Sequence, residues 1–297
     1  MVPYDYEYEN ENVTKKMSML QKIRTVLIHN SHPGNIGSAA RAMKNMGLET
    51  LYLVAPKRFP AKEAFYMASR ADDIVERAIV VETVHEAIAG CTLVFCASSR
   101  SRALKWHEIS PRLAAEKIIA EIQEKGEMEG KAEIQGQGEV AILYGCEQNG
   151  LSNEELELTN FQIVIPAVAE YASLNVAQAV QLISYEIYVA YLEEKEKTNL
   201  EANLSLDSTP ATDTQRIIAT QSITASPITK EADYATQDEM ERFFKHLEQI
   251  LLKIRFIDAK QPALTMSRLR RLFVAARLDK IELQILRGIL TAIEKQV

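Results

Sequence analysis

Residues 25–54 decide the fold and read TVLIHNSHPGNIGSAARAMKNMGLETLYLV. β-branched apolar runs at 25–28 and 51–54 flank a segment with helical periodicity, predicted to begin near Asn35. A strand, a helix and a second strand in such close succession are typical of a βαβ unit, whose two strands lie parallel. Gly34 and Gly37 stand where the chain turns from strand into helix.

The same alternation continues through the first two thirds of the chain. Further short apolar runs occur at 78–81, 92–95, 140–144 and 161–165, with helical patterns between them. About six strands are therefore predicted. The pattern predicts an α/β domain over residues 19–195, with a parallel sheet covered by helices on both faces.

The remaining segments have other characters. Residues 1–18 are predicted to be an acidic flexible tail, and residues 196–236, rich in Thr, Ser, Ala and Glu, a flexible linker. Helical periodicity returns over 237–297 and predicts a small all-α extension of about three helices. From 238 onward 12 Lys and Arg stand against 8 Asp and Glu, a balance of +4, so the extension is the basic part of the chain.

Composition narrows the function classes. The 297 residues carry 34 Lys and Arg against 41 Asp and Glu, and this net charge of −7 excludes a generally basic nucleic-acid coat but leaves local patches possible. No apolar run is long enough to span a bilayer, so no membrane partner is expected. Cys91, Cys96 and Cys146 match no zinc spacing and read as reduced thiols, so a cytoplasmic protein without a metal is expected.

The first candidate site is GNIGSAAR, residues 34–41. Asn35 would lie at the mouth of the helix beside its free backbone N–H groups, with Arg41 under two turns further on, so both could reach one phosphate or sugar. A plain turn before a helix is the alternative. Neither a dinucleotide fingerprint nor a Walker loop is present, and the strand pattern around the literal G-x-x-G is wrong for a KH domain.

The second candidate is EVAILYGCEQNGLSNEEL, residues 139–156. A strand runs into Gly145, which is expected to let a ligand approach the backbone, and Glu147 follows at the carboxyl end of that strand, where open α/β sheets bind ligands. A turn with a solvated glutamate is the alternative. Ser152 and Glu155 have the spacing of a capping box.

The third candidate is IPAVAEYASLNVAQAVQLISYE, residues 165–186. Ser173 is predicted to be the N-cap of a long core helix, with Asn175 in its first turn. Both polar side chains could bind a ligand at the helix N-terminus as well as cap it.

Together the three stretches resemble the motifs of the SpoU family of S-adenosylmethionine-dependent RNA 2'-O-methyltransferases: N-x-G-x-x-x-R, then G-x-E-x-x-G-L, then I-P followed by S-L-N. Beyond the predicted linker, MSRLRRLF and ELQILRGIL resemble the C-terminal extension of the TrmJ type, the tRNA (cytidine/uridine-32-2'-O)-methyltransferases. One departure is Cys146, where that type usually carries Arg, and it bears on substrate detail.

The resemblance implies a deep trefoil knot at the C-terminal end of the α/β domain, and a homodimer. It implies a catalytic Arg41, acting as base or as stabiliser of charge, with Asn35 orienting that arginine or the ribose. Glu147 would fix the arginine or the backbone of the third motif, and Ser173 with Asn175 would hold the substrate and donor loops. The implied methyl-donor contacts are Ala97, Ser98, Ser99, Gly145, Ile165, Ala172, Ser173 and Leu174.

The tRNA partner requires phosphate contacts despite the negative net charge. The expected contacts are Arg100, Arg102, Lys105, Arg268, Arg270 and Arg271. Leu272 is expected to point inward beneath the last three of these, the arginines at 268, 270 and 271. The alternative interpretation of these three arginines is a solvated helix face.

Three rival functions stay open at this point. The chain could be a non-catalytic RNA-binding protein of the same fold, or a 2'-O-methyltransferase acting on another tRNA position or on rRNA. A nucleotide-binding oxidoreductase or hydrolase is the third, although the sequence lacks its phosphate fingerprint or nucleophile elbow.

Overall fold

The computed structural model describes residues 19–98, 106–124, 139–206, 233–257 and 263–296. The strands are β1 (Ile23–Ile28), β2 (Thr50–Val54), β3 (Ile79–Val81), β4 (Cys91–Ala97), β5 (Glu108–Ile109), β6 (Glu139–Tyr144) and β7 (Phe161–Ile163). The helices of the α/β part are α1 (Pro33–Asn45), α2 (Lys62–Ala68), α3 (Asp72–Glu76), α4 (Val84–Ile88), α5 (Pro111–Glu124), α6 (Asn153–Leu156) and α7 (Val176–Leu206). The C-terminal helices are α8 (Gln237–Lys253), α9 (Ala263–Ala276) and α10 (Lys280–Glu294).

The strands form one sheet in the order β3-β2-β1-β6-β4-β7-β5, and every strand pairing is parallel. All six residues of β1 are buried, as a strand covered on both faces requires. Separate apolar clusters lie on the two faces: one includes residues of α1, α2, α5 and α7, and the other includes residues of α4 and α6. The predicted α/β fold is thereby confirmed. The additional strand is β5, whose two residues at the sheet edge are too few to produce an alternating pattern.

Helix α1 begins at Pro33, earlier than the predicted start at Asn35. Gly37 is buried within it, and a Cβ there would lie only 1.9 Å from the carbonyl oxygen of Ala64 on α2. A side chain at this position would therefore push the two helices apart. Gly37 is required for helix packing rather than for the turn from β1.

Gly145 has a similar packing role, at a position that also lines a cavity. A Cβ at Gly145 would lie 2.2 Å from the carbonyl carbon of Gly150, because the chain folds back on itself between these two glycines. Gly150 itself adopts φ +64°, in the left-handed region that favours glycine. The loop after β6 is thus closed by backbone contact.

Two expected boundaries at α7 were wrong. The helix begins at Val176, and its N-cap is Asn175 rather than Ser173, because the Asn175 side chain accepts a 2.8 Å hydrogen bond from the N–H of Ala177. The helix also continues to Leu206, into the segment predicted to be linker from residue 196. Residues 207–232 of that segment and the predicted tail at 1–18 lie outside the described residues.

The C-terminal helices share their own apolar core, in which the rings of Phe243, Phe244 and Phe273 contact one another. Polar contacts join this unit to the α/β part. Arg277, after α9, pairs with the buried Glu121 of α5, and the Asn160 amide donates to the carbonyl of Val274 at 3.1 Å. Leu272 is 63% exposed, so the prediction that it points inward was wrong.

Within the described ranges, none of the helices combines the length and the hydropathy that a membrane crossing requires. In those ranges, too, no three His, Cys, Asp or Glu side chains lie close enough together to bind a metal ion. All three cysteines are free thiols; Cys91 and Cys96 are buried, whereas Cys146 is half-buried.

Candidate active site

The carboxylate of Glu147 organises the edge of the sheet where β1 and β6 end. It accepts hydrogen bonds from the side-chain amide of Asn35 at 2.8 Å and from the backbone N–H of Ser31 at 3.0 Å. It also accepts from the amide of Asn30 at 3.3 Å and from the backbone N–H of His32 at 3.4 Å. One carboxylate therefore binds both the loop that follows β1 and the first turn of α1.

These hydrogen bonds control the ionisation of Glu147. Burial by itself would raise its pKa, but the hydrogen bonds from Asn35, Ser31 and Asn30 favour the charged form and lower the pKa to about 2. Glu147 is consequently an anion throughout the physiological range. With four donors on its two oxygens, it is an anchor rather than a proton acceptor.

Asn35 extends the network to the third motif. Because Glu147 can only accept, the NH₂ group of Asn35 must face it, which leaves the Asn35 oxygen to accept from the amide of Asn175 at 3.0 Å. The Asn175 oxygen in turn caps α7. A single chain of hydrogen bonds thus joins all three sequence motifs and sets the orientation of both amides.

A cavity of about 440 Å³ lies beside this network. Its walls come from the ends of β4, β6 and β7 and from the segment before α7, and Glu147 is the single charged side chain among the described residues that line it. The predicted donor contacts found in its wall are Ala97, Ser98, Gly145, Ile165, Ala172, Ser173 and Leu174. Ser99 lies outside the described residues.

The wall also includes Cys146, at the position where the resemblance would place an arginine. Its Sγ lies 3.7 Å from the carbonyl oxygen of Gly150, within the closed loop after β6. A thiol here leaves the cavity without the positive charge that an arginine would bring.

Arg41 lies on α1 with its side chain exposed. It makes no hydrogen bond or ion pair with any of the described residues, and its expected partners Asn35 and Glu147 bind each other instead. Glu147 binds the loop at 30–32 directly and reaches the third motif through Asn35 and Asn175. A role of Glu147 in fixing the arginine stays a prediction. The guanidinium of Arg41 is left available to a ligand.

Sequence reasoning missed Asn30, Ser31 and His32. Asn30 is only 2% exposed, and its amide is directed to a carboxylate that lies 117 positions away along the chain. The available signal was position: these residues directly follow β1, and parallel strands bring their carboxyl ends to one edge of the sheet.

The basic residues of the tail differ in their availability. Arg270 is held by Glu241 at 2.7 and 3.2 Å and lies over the ring of Phe244, so the structure uses it internally. Arg268 is exposed and unpaired within the described part of the chain, whereas Arg271 is half-buried. Arg100, Arg102 and Lys105 lie outside the described residues.

Comparison with known proteins gives the chain its family. Residues 22–185 match the family model for the SpoU rRNA Methylase family, and residues 238–297 match the model for the tRNA methyltransferase TrmJ C-terminal domain. The chain is 41% identical to the tRNA (cytidine/uridine-2'-O-)-methyltransferase TrmJ of Yersinia pestis (strain Pestoides F), over 94% of this chain and 93% of the relative.

Two further matches agree. The tRNA (cytidine/uridine/adenosine-2'-O-)-methyltransferase TrmJ of Pseudomonas aeruginosa (strain UCBPP-PA14) is 41% identical, over 93% of this chain and 95% of the relative. The crystal structure of TrmJ from Z. mobilis ZM4 superposes with a TM-score of 0.68 at 29% identity, covering 91% of this chain and 98% of that one. The sequence motifs, the fold and these matches agree, and the chain therefore belongs to the SpoU rRNA Methylase family, with a C-terminal domain of the TrmJ type.

Proposed function

We propose that this protein transfers a methyl group from S-adenosylmethionine to the ribose 2'-hydroxyl of a cytidine or uridine in tRNA, at position 32 of the anticodon loop. The observation that carries the proposal is the hydrogen-bonded chain from Glu147 through Asn35 to Asn175, which joins three motifs at the rim of one cavity. Curated relatives at 41% identity are named for this class of reaction on tRNA.

The cavity suits the methyl donor. Its volume of about 440 Å³ is typical of small-molecule sites, and its wall is largely small or apolar with one carboxylate. Ala97, Ser98, Gly145, Ile165 and the segment Ala172–Leu174 would hold the donor chiefly through backbone groups. When bound, the donor supplies a methyl group attached to a sulfonium sulfur, and that sulfur becomes a neutral thioether once the methyl group is transferred.

Arg41 then acts on the acceptor. A guanidinium only donates hydrogen bonds, so its free side chain is suited to bind the phosphate beside the target ribose and to stabilise negative charge that develops on the 2'-oxygen. The hydrogen-bonded network does not include the guanidinium of Arg41, because Asn35 and Glu147 bind each other. Of the two roles left open by the sequence, charge stabilisation is the one we propose.

The proposal includes a knot and a homodimer. β6 is inserted between β1 and β4, and β7 between β4 and β5, an order that supports a chain threaded at its C-terminal end. Leu182 and Tyr185 are exposed apolar residues one turn apart on α7, and Val168 and Tyr171 are exposed just before it. Such residues favour a protein interface. Light scattering at micromolar concentration should give a dimer mass, and a monomer would contradict this part.

The tRNA would meet the protein in the cytoplasm, and its phosphates would contact Arg41 and Arg268. Arg100, Arg102 and Lys105 follow β4 in the sequence, directly after the donor wall at Ala97 and Ser98, which supports a role for them in the same contact. Arg270 is excluded from this set by its ion pair with Glu241.

Nucleoside mass spectrometry of tRNA incubated with the protein and S-adenosylmethionine tests the proposal. We expect 2'-O-methylcytidine and 2'-O-methyluridine, mapped to position 32 by fragment analysis. Methylation at another tRNA position, or of rRNA only, would refute the assigned substrate. Binding of tRNA without methylation would instead favour a non-catalytic RNA-binding protein.

A further inference from the structure

Methyl transfer from a sulfonium to a hydroxyl releases one proton, and neither the hydrogen-bonded network nor Arg41 provides an acceptor for it. This question rests on the proposed function. Glu147 is unsuitable because its two oxygens already accept four hydrogen bonds, and those bonds favour its charged form. Asn35 and Asn175 are neutral amides, and the guanidinium of Arg41 is a donor only.

His32 lies in the loop that Glu147 holds. Its backbone N–H is 3.4 Å from a Glu147 oxygen, which places the residue one hydrogen bond away from the wall of the cavity. It directly precedes Pro33, the first residue of α1, and its imidazole does not cap the helix. The side chain is exposed and makes no hydrogen bond or ion pair with the described residues.

His29 is the neighbouring histidine and differs in orientation. Its Nδ1 lies 3.5 Å from the carbonyl oxygen of Ala55, at the end of β2. Its imidazole thus faces the segment after β2, and its backbone makes none of the hydrogen bonds to Glu147.

We propose that the imidazole of His32 accepts the proton of the ribose 2'-hydroxyl during methyl transfer. As the 2'-oxygen forms its bond to the methyl carbon, the carbon–sulfur bond breaks and its electron pair stays on sulfur. The hydroxyl proton passes to an imidazole nitrogen, and the imidazolium then releases it to water. Arg41 stabilises the oxygen while its negative charge develops.

Charged and titratable groups lie on the segments around His32. The charged and titratable groups on the neighbouring segments are Glu147 after β6, His29 before the loop, Lys57 and Arg58 after β2, Glu63 on α2 and Arg41 on α1. Histidine is the ordinary side chain that exchanges protons between about pH 5 and 8. Since only the neutral imidazole accepts a proton, the rate should rise as the pH is raised and then reach a plateau.

Single-turnover methyl transfer to tRNA, measured with the full chain from pH 5.5 to about 9, tests this role. His32→Ala should lower the rate by about 10²- to 10³-fold and remove the rise with pH, because general-base catalysis contributes effects of this size. His32→Gln, which keeps a polar side chain but takes up no proton, should be equally slow. His29→Ala is the matched control and should keep both the rate and the pH profile of the wild type.

Binding measurements separate catalysis from folding. Both His32 variants should bind S-adenosylmethionine and tRNA as the wild type does, and added imidazole should partly restore His32→Ala. A His32→Ala rate within a factor of about three of wild type, or full activity in His32→Gln, would overturn the role of His32 while leaving the proposed function intact. No methyl transfer by the wild-type protein would refute the proposed function, and this inference with it.

Discussion

The sheet edge and the C-terminal helices each gather charged side chains, but they use them in opposite ways. At the sheet edge, Glu147 is satisfied by amides and backbone N–H groups, and the cation Arg41 has no partner among the described residues. In the C-terminal unit two arginines are held in ion pairs, Arg270 with Glu241 and Arg277 with Glu121, while Arg268 is exposed. A cluster of arginines in the sequence is therefore weaker evidence of a ligand site than polar residues at converging strand ends.

The two regions also differ in how they place apolar side chains. Ile281, Ile285 and Ile289 lie one turn apart on α10 and are 69%, 59% and 51% exposed. Around the cavity beside Glu147, by contrast, apolar residues such as Ile163 and Val176 line a concave wall. The basic helices thus present apolar side chains outward, while the sheet edge encloses them.

Removing the free cation should have the largest effect. Arg41→Ala should lower the rate of methyl transfer by about 10³-fold, because one group that stabilises developing charge is worth this much. S-adenosylmethionine affinity, measured by calorimetry, should be unchanged because Arg41 is absent from the cavity wall. Arg58→Ala, which removes another exposed arginine, one 3.9 Å from Glu63, is the control and should stay close to wild type. Near-normal turnover of Arg41→Ala would show that Arg41 is no more important for catalysis than the ion-paired arginines of the C-terminal unit.

Breaking the buried pair of the C-terminal unit should have the next largest effect. Arg277→Ala leaves the carboxylate of Glu121, whose side chain is 2% exposed, without its cation, and should lower the free energy of unfolding by about 3 kcal/mol. Urea denaturation measures this. Arg112→Ala, which removes a more exposed arginine paired with Glu193, should cost clearly less, because solvent screens an exposed ion pair. Equal losses in the two variants would show that burial does not distinguish them.

The anchor of the sheet edge should have a smaller, pH-dependent effect. Since the folded pKa of Glu147 is lowered to about 2, its charge stabilises the fold fully above the ordinary glutamate value and loses this contribution as pH falls towards 2. Glu147→Gln should cost about 1 kcal/mol at pH 7, a value reduced for its partial exposure, and progressively less below about pH 4.5.

Urea denaturation at pH 7, 5 and 3 measures this change. Glu155→Gln is the control, because glutamine also serves in the capping box with Ser152 and should cost little at any pH. A cost for Glu147→Gln that grows as the pH falls would contradict the assigned direction of its pKa shift.

The smallest effect should separate the two neighbouring arginines of α9. Arg268→Ala should weaken tRNA binding and reduce the slope of log affinity against log salt by about 1, as the loss of one phosphate contact does. Arg270→Ala should leave that slope unchanged, because the ion pair with Glu241 already occupies this side chain. Filter binding over a series of salt concentrations measures both. A reduced slope for Arg270→Ala would mean that this ion pair opens when tRNA binds.

Much of the fold could be predicted because it depends on local patterns. The β-branched runs at 25–28, 51–54 and 140–144 became strands, and the parallel order followed from their alternation with helices. The donor contacts stay a prediction made by resemblance alone, since residues such as Ala97 and Ile165, which line the cavity, have no distinctive chemistry. The strand β5 was missed because its two residues are too few to show a periodic pattern. The true start of α7 was missed because it depends on one capping side chain, which leaves no periodic pattern either.

By itself the sequence determined the α/β class, the three motifs and their order, because strand and helix periods and residue chemistry are local properties. The tertiary structure decided which groups meet. It joined Glu147 to Asn30 and Ser31, more than a hundred positions away, because parallel strands end at one edge. It also made Gly37 a packing residue and separated Arg268 from Arg270. The role of Gly37 depends on the approach of α2, and the difference between the two arginines depends on the position of the Glu241 carboxylate. Only the packed chain defines both.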